Sequence, residues 1–130
     1  ILVEPERRYS YVGMTNNFPN RLRQHNHEIS GGARYTRRSQ RWFPICIIDG
    51  FKNKQEAMQC EWAVKYQNRK RRRGKKKQCE QIGDVFTLIE RDYWTSRSPL
   101  ISSQKLTLYV DNEFTHVCRG TVSELWWRCE

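Results

Sequence analysis

Trp42 to Ile48 is a nearly unbroken apolar run closed by Asp49-Gly50. A run this short, rich in Ile and bounded by a turn signal, predicts a strand buried on both faces, with Pro44 limiting pairing near its start. It forms the middle of the core. Two amphipathic segments lie on either side of it in sequence. Upstream, Tyr9 to Thr15 is β-prone and ends in Asn16-Asn17, a turn or helix-cap signal. Phe18, Leu22, His25 and Ile29 then recur at helical spacing, with Pro19 tolerated in the first turn and Gly31-Gly32 as the stop. Arg21 and His25, four residues apart, share one side of that helix. Downstream, Asn53 caps a second helix with Glu56 at its N3 position. Ala57, Cys60 and Val64 form the buried stripe of this helix, and Glu61 lies between them on the helical wheel.

Beyond this first unit, residues 1–68, the chain changes character. From Arg69 to Lys77 it reads Arg-Lys-Arg-Arg-Arg-Gly-Lys-Lys-Lys. Like charges at this density repel, which predicts a flexible connector or a fraying helix end over 69–77. A weaker helical pattern from about Ile82 to Tyr93 and an alternating strand pattern from Leu106 to Val110 make residues 78–112 an extension packed on the first unit. Residues 113–130 are a tail with Trp126 and Trp127 but no motif. It packs on the domain, binds a partner or stands in for a further module. The expected fold class is α/β (α+β): a small antiparallel three-stranded sheet flanked by helices, with a helical extension and a short tail.

Charge narrows the function classes. Lys and Arg number 24 against 14 Asp and Glu, for a net charge of +10, and such a surface attracts polyanions. No apolar run approaches the roughly 20 residues needed to span a bilayer, and no basic amphipathic helix has a strong apolar face. Nucleic acid is the expected partner, and no membrane role is expected. The stretch Arg34-Tyr35-Thr36-Arg37-Arg38 has no acid between Glu28 and Asp49 and is a phosphate-contact candidate together with Arg23. The basic run, with Arg69, Arg71, Arg72, Arg73, Lys75, Lys76 and Lys77, reads as a tether, a phosphate-binding segment or a nuclear-localisation signal. Five widely spaced cysteines with no CxxC pair indicate neither a disulfide framework nor zinc. Cys46 and Cys60 suit reduced core positions in a nuclear, cytosolic or organelle-matrix protein, the nucleus first.

Four residue types then matter for chemistry. A carboxylate on an apolar helical face must be solvated, paired or bound to a cation, so Glu61 either salt-bridges an arginine or holds a hard divalent ion such as Mg²⁺. Arg21 can stabilise charge on a pentacoordinate phosphorus, and Tyr11 or His25 can orient or deprotonate an attacking water. Each residue taken singly also fits an ordinary structural role: Tyr11 in strand packing, His25 in a satisfied core position, Arg21 on a solvated helix.

Taken together, Tyr11-Val12-Gly13-Met14-Thr15, the Asn17 turn, Arg21-Leu22-Arg23-Gln24-His25-Asn26, Gly31-Gly32-Ala33-Arg34-Tyr35-Thr36, Gly50-Phe51 and Cys60-Glu61-Trp62 resemble the GIY-YIG nuclease superfamily. Within it they resemble the branch of SLX-type structure-selective endonucleases, and the similarity continues through Trp94-Thr95-Ser96-Arg97-Ser98-Pro99-Leu100 to about residue 112. This resemblance implies catalytic roles for Tyr11, Arg21, His25 and Glu61, with Glu61 as ligand of a single Mg²⁺ or Mn²⁺ ion. It implies cutting of branched DNA such as flaps and four-way junctions in repair or recombination, RNA being the other substrate class, and a scaffold protein as partner. Ile1-Leu2-Val3 is similar to the residues just after the tyrosine of the first half-motif, and that tyrosine is not in this sequence. A protein truly lacking it would have impaired water activation. His116, Cys118 and Cys129 are too few ligands for the RING-like zinc domain of that branch. The competing expectation is a nuclease-fold component of a larger assembly, such as a ribonucleoprotein, that binds nucleic acid without cutting it.

Overall fold

The computed structural model describes residues 1–70 and 78–126. Its expected three-stranded sheet is present and wholly antiparallel. β1 (Leu2–Val3) lies between β2 (Ser10–Tyr11) and β3 (Phe43–Pro44), with Leu2 opposite both Tyr11 and Pro44. A second sheet was not foreseen. β4 (Cys46–Asp49) runs antiparallel to β5 (Thr107–Val110), and β6 (Ser123–Glu124) pairs parallel to β5.

The apolar run is therefore not one strand, because it changes sheets at Ile45. The Ile45 amide donates to the Ile1 carbonyl at 2.9 Å, and its carbonyl accepts from the Asp111 amide at 2.9 Å. One residue is thus tied to the first sheet by one backbone group and to the second by the other. Pro44, opposite Leu2 on this edge strand, turns its missing N–H to the open side of the sheet, so it costs the pairing with β1 nothing. Full burial is confined to Trp42 and Pro44 to Cys46, while Ile47 and Ile48 are only half-buried.

α1 (Phe18–His25) begins as its sequence predicts, with the Asn17 side chain accepting from the Asn20 amide and Pro19 in the first turn. It ends earlier than expected. His27 takes a left-handed conformation (φ 61°), its amide donates to the Gln24 carbonyl, and the Glu28 amide donates to the Arg23 carbonyl. This is a Schellman closure with histidine where glycine is usual. Asn26 accounts for it: its side chain donates to the Trp42 carbonyl at 3.0 Å and accepts from the Trp42 amide at 2.6 Å, which pins the helix end to the chain entering β3. Ile29 falls outside the helix, and Gly31-Gly32 belongs to the loop.

α2 (Lys54–Lys70) carries the expected cap: Asn53 Oδ1 accepts from the Glu56 amide, and the Glu56 carboxylate accepts from the Lys52 amide. Its buried face is Cys60, Ala63 and Val64, with Ala57 half-buried. α3 (Gln78–Ile89) starts and ends about one turn before its sequence pattern suggested. It packs on α2 and buries Ile82, Val85, Phe86 and Leu88 in the same core as Val3, Ile45 and Cys60. α3 also braces the first sheet, because the Gln81 amide donates to Ser10 Oγ at 2.7 Å and the Gln78 amide to the Arg7 carbonyl at 3.1 Å. The tail beyond β5 forms a 3-10 turn over Asn112–Val117 and then β6.

Candidate active site

The β1–β2 connection holds Tyr11 in place. Glu4 at the end of β1 is buried, and its carboxylate accepts from the amides of Glu6, Arg8 and Tyr9. Burial alone would raise its pKa. The three amides and the Arg8 charge outweigh that and hold it below the ordinary glutamate value. The Tyr11 ring packs 4.6 Å from the His25 ring and stacks on Tyr35 at 6.1 Å and 28°. A Cβ on Gly13 would stand 2.7 Å from Tyr11 Cε1. The glycine of Tyr-Val-Gly is thus the space into which the phenol folds back.

On α1, Arg21 and His25 face the same region. One nitrogen of the Arg21 guanidinium donates to Gln24 Oε1 and to the Gly31 carbonyl, both at 2.8 Å. No carboxylate among the described residues forms an ion pair with it. His25 is 2 % exposed, with Nδ1 2.9 Å from Thr36 Oγ1. The Thr36 hydroxyl gives its single proton to the Ala33 carbonyl at 2.8 Å. It must therefore accept from His25, which puts the imidazole hydrogen on Nδ1 and leaves Nε2 as an open acceptor. Burial first, then the charges of Arg21 and His27, lower the His25 pKa to about 4, so the ring is neutral near pH 7.

Glu61 is partnered by Lys65, one turn along α2, rather than by an arginine. The distance is 2.6 Å, with the carboxylate side chain 21 % exposed. The same ammonium lies 5.9 Å from the centre of the Tyr11 ring. No cluster of three or more His, Cys, Asp or Glu side chains that could hold a metal occurs among the described residues. A single partly exposed carboxylate fits an ion of the Mg²⁺ or Mn²⁺ class, which takes its remaining oxygen ligands from phosphate and water. It does not fit a metal that needs an all-protein cage.

Tyr11, Arg21, His25 and Glu61 line one cavity of about 460 Å³, walled by α1, α2 and the strand ends, with Phe18 and Trp126 also on its lining. Sequence reasoning missed Thr36, Gln24, Lys65 and the position of Trp126. Lys65 was findable as the i+4 partner of Glu61. Gln24 was findable in the same way, as the i+3 partner of Arg21 on α1, whereas Thr36 and Trp126 act through contacts set by loop and sheet closure and leave no spacing signal. Cys60, beside Glu61 in sequence, faces the core, and burial pushes its thiol up to about 12, which makes it a packing residue.

The expected phosphate contacts divide. Arg34, Arg37 and Arg38 are exposed along the 3-10 turn Tyr35–Arg38, and the Arg38 guanidinium lies 4.4 Å from the Tyr35 ring centre and 5.0 Å from that of Tyr9. Arg23 is exposed 3.8 Å from the Glu28 carboxylate. Arg71, Arg72, Arg73, Lys75, Lys76 and Lys77, the Arg69 side chain, Trp127 and Cys129 lie outside the described residues.

Residues 1–77 match the family model described as the GIY-YIG catalytic domain. Over 52 residues, 40 % of the chain, it is 48 % identical to "Structure-specific endonuclease subunit slx1" of Schizosaccharomyces pombe, covering 19 % of that protein. Over 99 residues, 76 % of the chain, it is 32 % identical to "Structure-specific endonuclease subunit SLX1" of Cryptococcus neoformans, covering 20 % of it. Over 61 residues, 47 % of the chain, it is 43 % identical to the SLX1 homolog of Giardia intestinalis, covering 17 % of it. The chain thus spans about a fifth of the length of the curated relatives it matches.

Proposed function

The chain belongs to the GIY-YIG family, and from that premise we propose that it is the catalytic part of a structure-selective endonuclease that hydrolyses phosphodiester bonds in branched DNA. The observation that carries this reading is the convergence of Tyr11, Arg21, His25 and Glu61 on one cavity. A protein that only binds nucleic acid has no need for that convergence. The relatives' names call them structure-specific endonuclease subunits. We extend that wording to this chain, with a scaffold subunit as partner, DNA repair or recombination as the setting and the nucleus as the compartment.

Glu61 would hold the Mg²⁺ or Mn²⁺ ion, exchanging the Lys65 ammonium for it. When bound, the ion supplies neutralisation of charge on the leaving oxygen. Arg21, anchored through one nitrogen, directs its remaining donors to the phosphate and stabilises the charge that builds up on its oxygens. His25, neutral and with Nε2 open, accepts a hydrogen bond from the attacking water and takes its proton. The Tyr11 phenol, wedged between His25 and Tyr35, orients that water.

The test is cleavage of labelled duplex, flap and four-way-junction DNA by the full-length protein with Mg²⁺ or Mn²⁺. Branched substrates are cut, duplex is spared, and Glu61→Ala and Arg21→Ala each lower kcat at least about a hundredfold while leaving binding within a few fold. A wild-type protein that binds all three substrates and cuts none removes the enzyme reading.

A further inference from the structure

Trp126 lies far beyond the segment that matches the family model, yet it lines the same cavity as Tyr11, Arg21, His25 and Glu61. The tail delivers it there by construction. β6 pairs Ser123 with Tyr109 and Glu124 with Val110, and the next residue, Leu125, is 2 % exposed in the interior. With those two anchors set, the Trp126 ring meets Phe18 at the start of α1 edge-on, at 5.5 Å and 90°. Its surface remains 51 % exposed. An indole kept only for packing would bury far more of its area. This one is held in place and left half in water at the mouth of the cavity.

We infer that Phe18 and Trp126 form a stacking subsite for an unpaired DNA base adjacent to the phosphate held at Arg21. The position next to the phosphate rests on the nuclease reading above. The choice of occupant rests on charge and geometry. The chain carries a net charge of +10, and the cavity that Trp126 borders presents the Arg21 guanidinium with no carboxylate paired to it among the described residues. Asp49 and Glu61 line the same cavity, Glu61 paired with Lys65 and Asp49 accepting from the Gly50 amide. A ligand anionic along its backbone and planar and apolar at the adjoining point suits the open Arg21 and the indole, and a nucleotide is such a ligand. A base within a duplex is already stacked on both sides and cannot present its face to an indole, whereas a base at a branch can. Every base has such a face, so the subsite selects for DNA structure and ignores sequence.

The experiment measures binding of fluorescein-labelled flap DNA by the full-length protein in EDTA, where no cutting intervenes. Wild type is compared with Trp126→Ala and Trp126→Phe, on a normal flap, on a flap with abasic residues at the two unpaired positions nearest the branch, and on paired duplex. Trp126→Ala weakens binding to the normal flap about tenfold, and Trp126→Phe stays within about threefold of wild type. The abasic flap costs wild type about the same factor and costs Trp126→Ala nothing further, while duplex binding is the same for all three proteins. The inference is overturned if Trp126→Ala binds the normal flap like wild type, if its loss is equal on flap and duplex, or if the abasic flap weakens Trp126→Ala as much as it weakens wild type. If the base-and-indole coupling is present in EDTA but wild type cuts nothing with Mg²⁺, the subsite stands and the enzyme reading falls.

Discussion

Burial makes His25 easier to keep neutral than to protonate, and Thr36 fixes which nitrogen carries the hydrogen. Because the folded pKa of about 4 lies below the ordinary 6.5, the unfolded chain binds the proton more readily in between. The associated stability is complete above about pH 6.5 and is lost as pH falls toward 4, by up to about 3 kcal/mol. Urea titrations at pH 7.0 and 4.8 should show that decline in wild type and a flattened one in His25→Asn. A decline of unchanged size in the variant assigns it elsewhere. The lowered Glu4 pKa adds its own loss only further into acid, since that stability is present above about 4.5 and disappears as the carboxylate protonates. Thr36→Val strands the Nδ1 hydrogen in the interior and should cost about 1–3 kcal/mol, whereas Thr36→Ser keeps the acceptor and should cost much less. At Gly13 the expectation is different in kind. A methyl 2.7 Å from Tyr11 Cε1 cannot be absorbed by moving a ring wedged against His25 and Tyr35. Gly13→Ala should therefore lower cleavage tenfold or more for about 1 kcal/mol of stability, read by kcat against thermal midpoint.

The joint between α1 and the following loop shows how an element end becomes part of the site. Gly31 has φ 105°, and a Cβ on Gly32 would collide with the backbone oxygen and carbon of Gln24. The Gly31 carbonyl and the Gln24 side chain are the two groups that hold Arg21. Gly32→Ala should destabilise by about 2 kcal/mol and also release Arg21. In urea melts and cleavage assays it should lose activity even at temperatures where it is fully folded. A folded variant with wild-type kcat refutes the link. The sequence announced the beginnings of α1 and α2, because Asn17 and Asn53 cap through local hydrogen bonds that depend on a few neighbouring residues. It did not announce the end of α1, which depends on Asn26 meeting Trp42 sixteen residues away. Nor did it show the break at Ile45, where two sheets compete for one residue's backbone. The four candidate residues stand out in the sequence through their spacing, and the fold brings them to one cavity. Thr36 and Trp126 do not, since each acts on a neighbour that only the closed fold supplies.

At the scale of the whole molecule, the proposed function divides the work: charge would set how tightly nucleic acid is held, and the cavity where it is cut. The net charge of +10 is not spread evenly: Arg34, Arg37 and Arg38 are exposed on one 3-10 turn, and none is ion-paired among the described residues. Stacking on Tyr35 and Tyr9 holds Arg38 in place at little entropic cost. If these three arginines sit on phosphates, binding releases a counterion for each. Log affinity against log salt should then lose about 0.9 of slope per arginine removed. The Arg34, Arg37 and Arg38 triple replacement by Gln should therefore flatten the slope by roughly 2 to 3 on duplex and flap alike, since phosphate contacts carry no information about branching. The same replacement of Arg71, Arg72 and Arg73 separates a phosphate-binding run from a tether, the former flattening the slope by a similar amount and the latter leaving it unchanged. Glu61→Ala should leave the slope untouched while cutting ceases. A slope that moves with Glu61 but not with the arginines would place the polyanion on α2 instead of along the Tyr35–Arg38 turn.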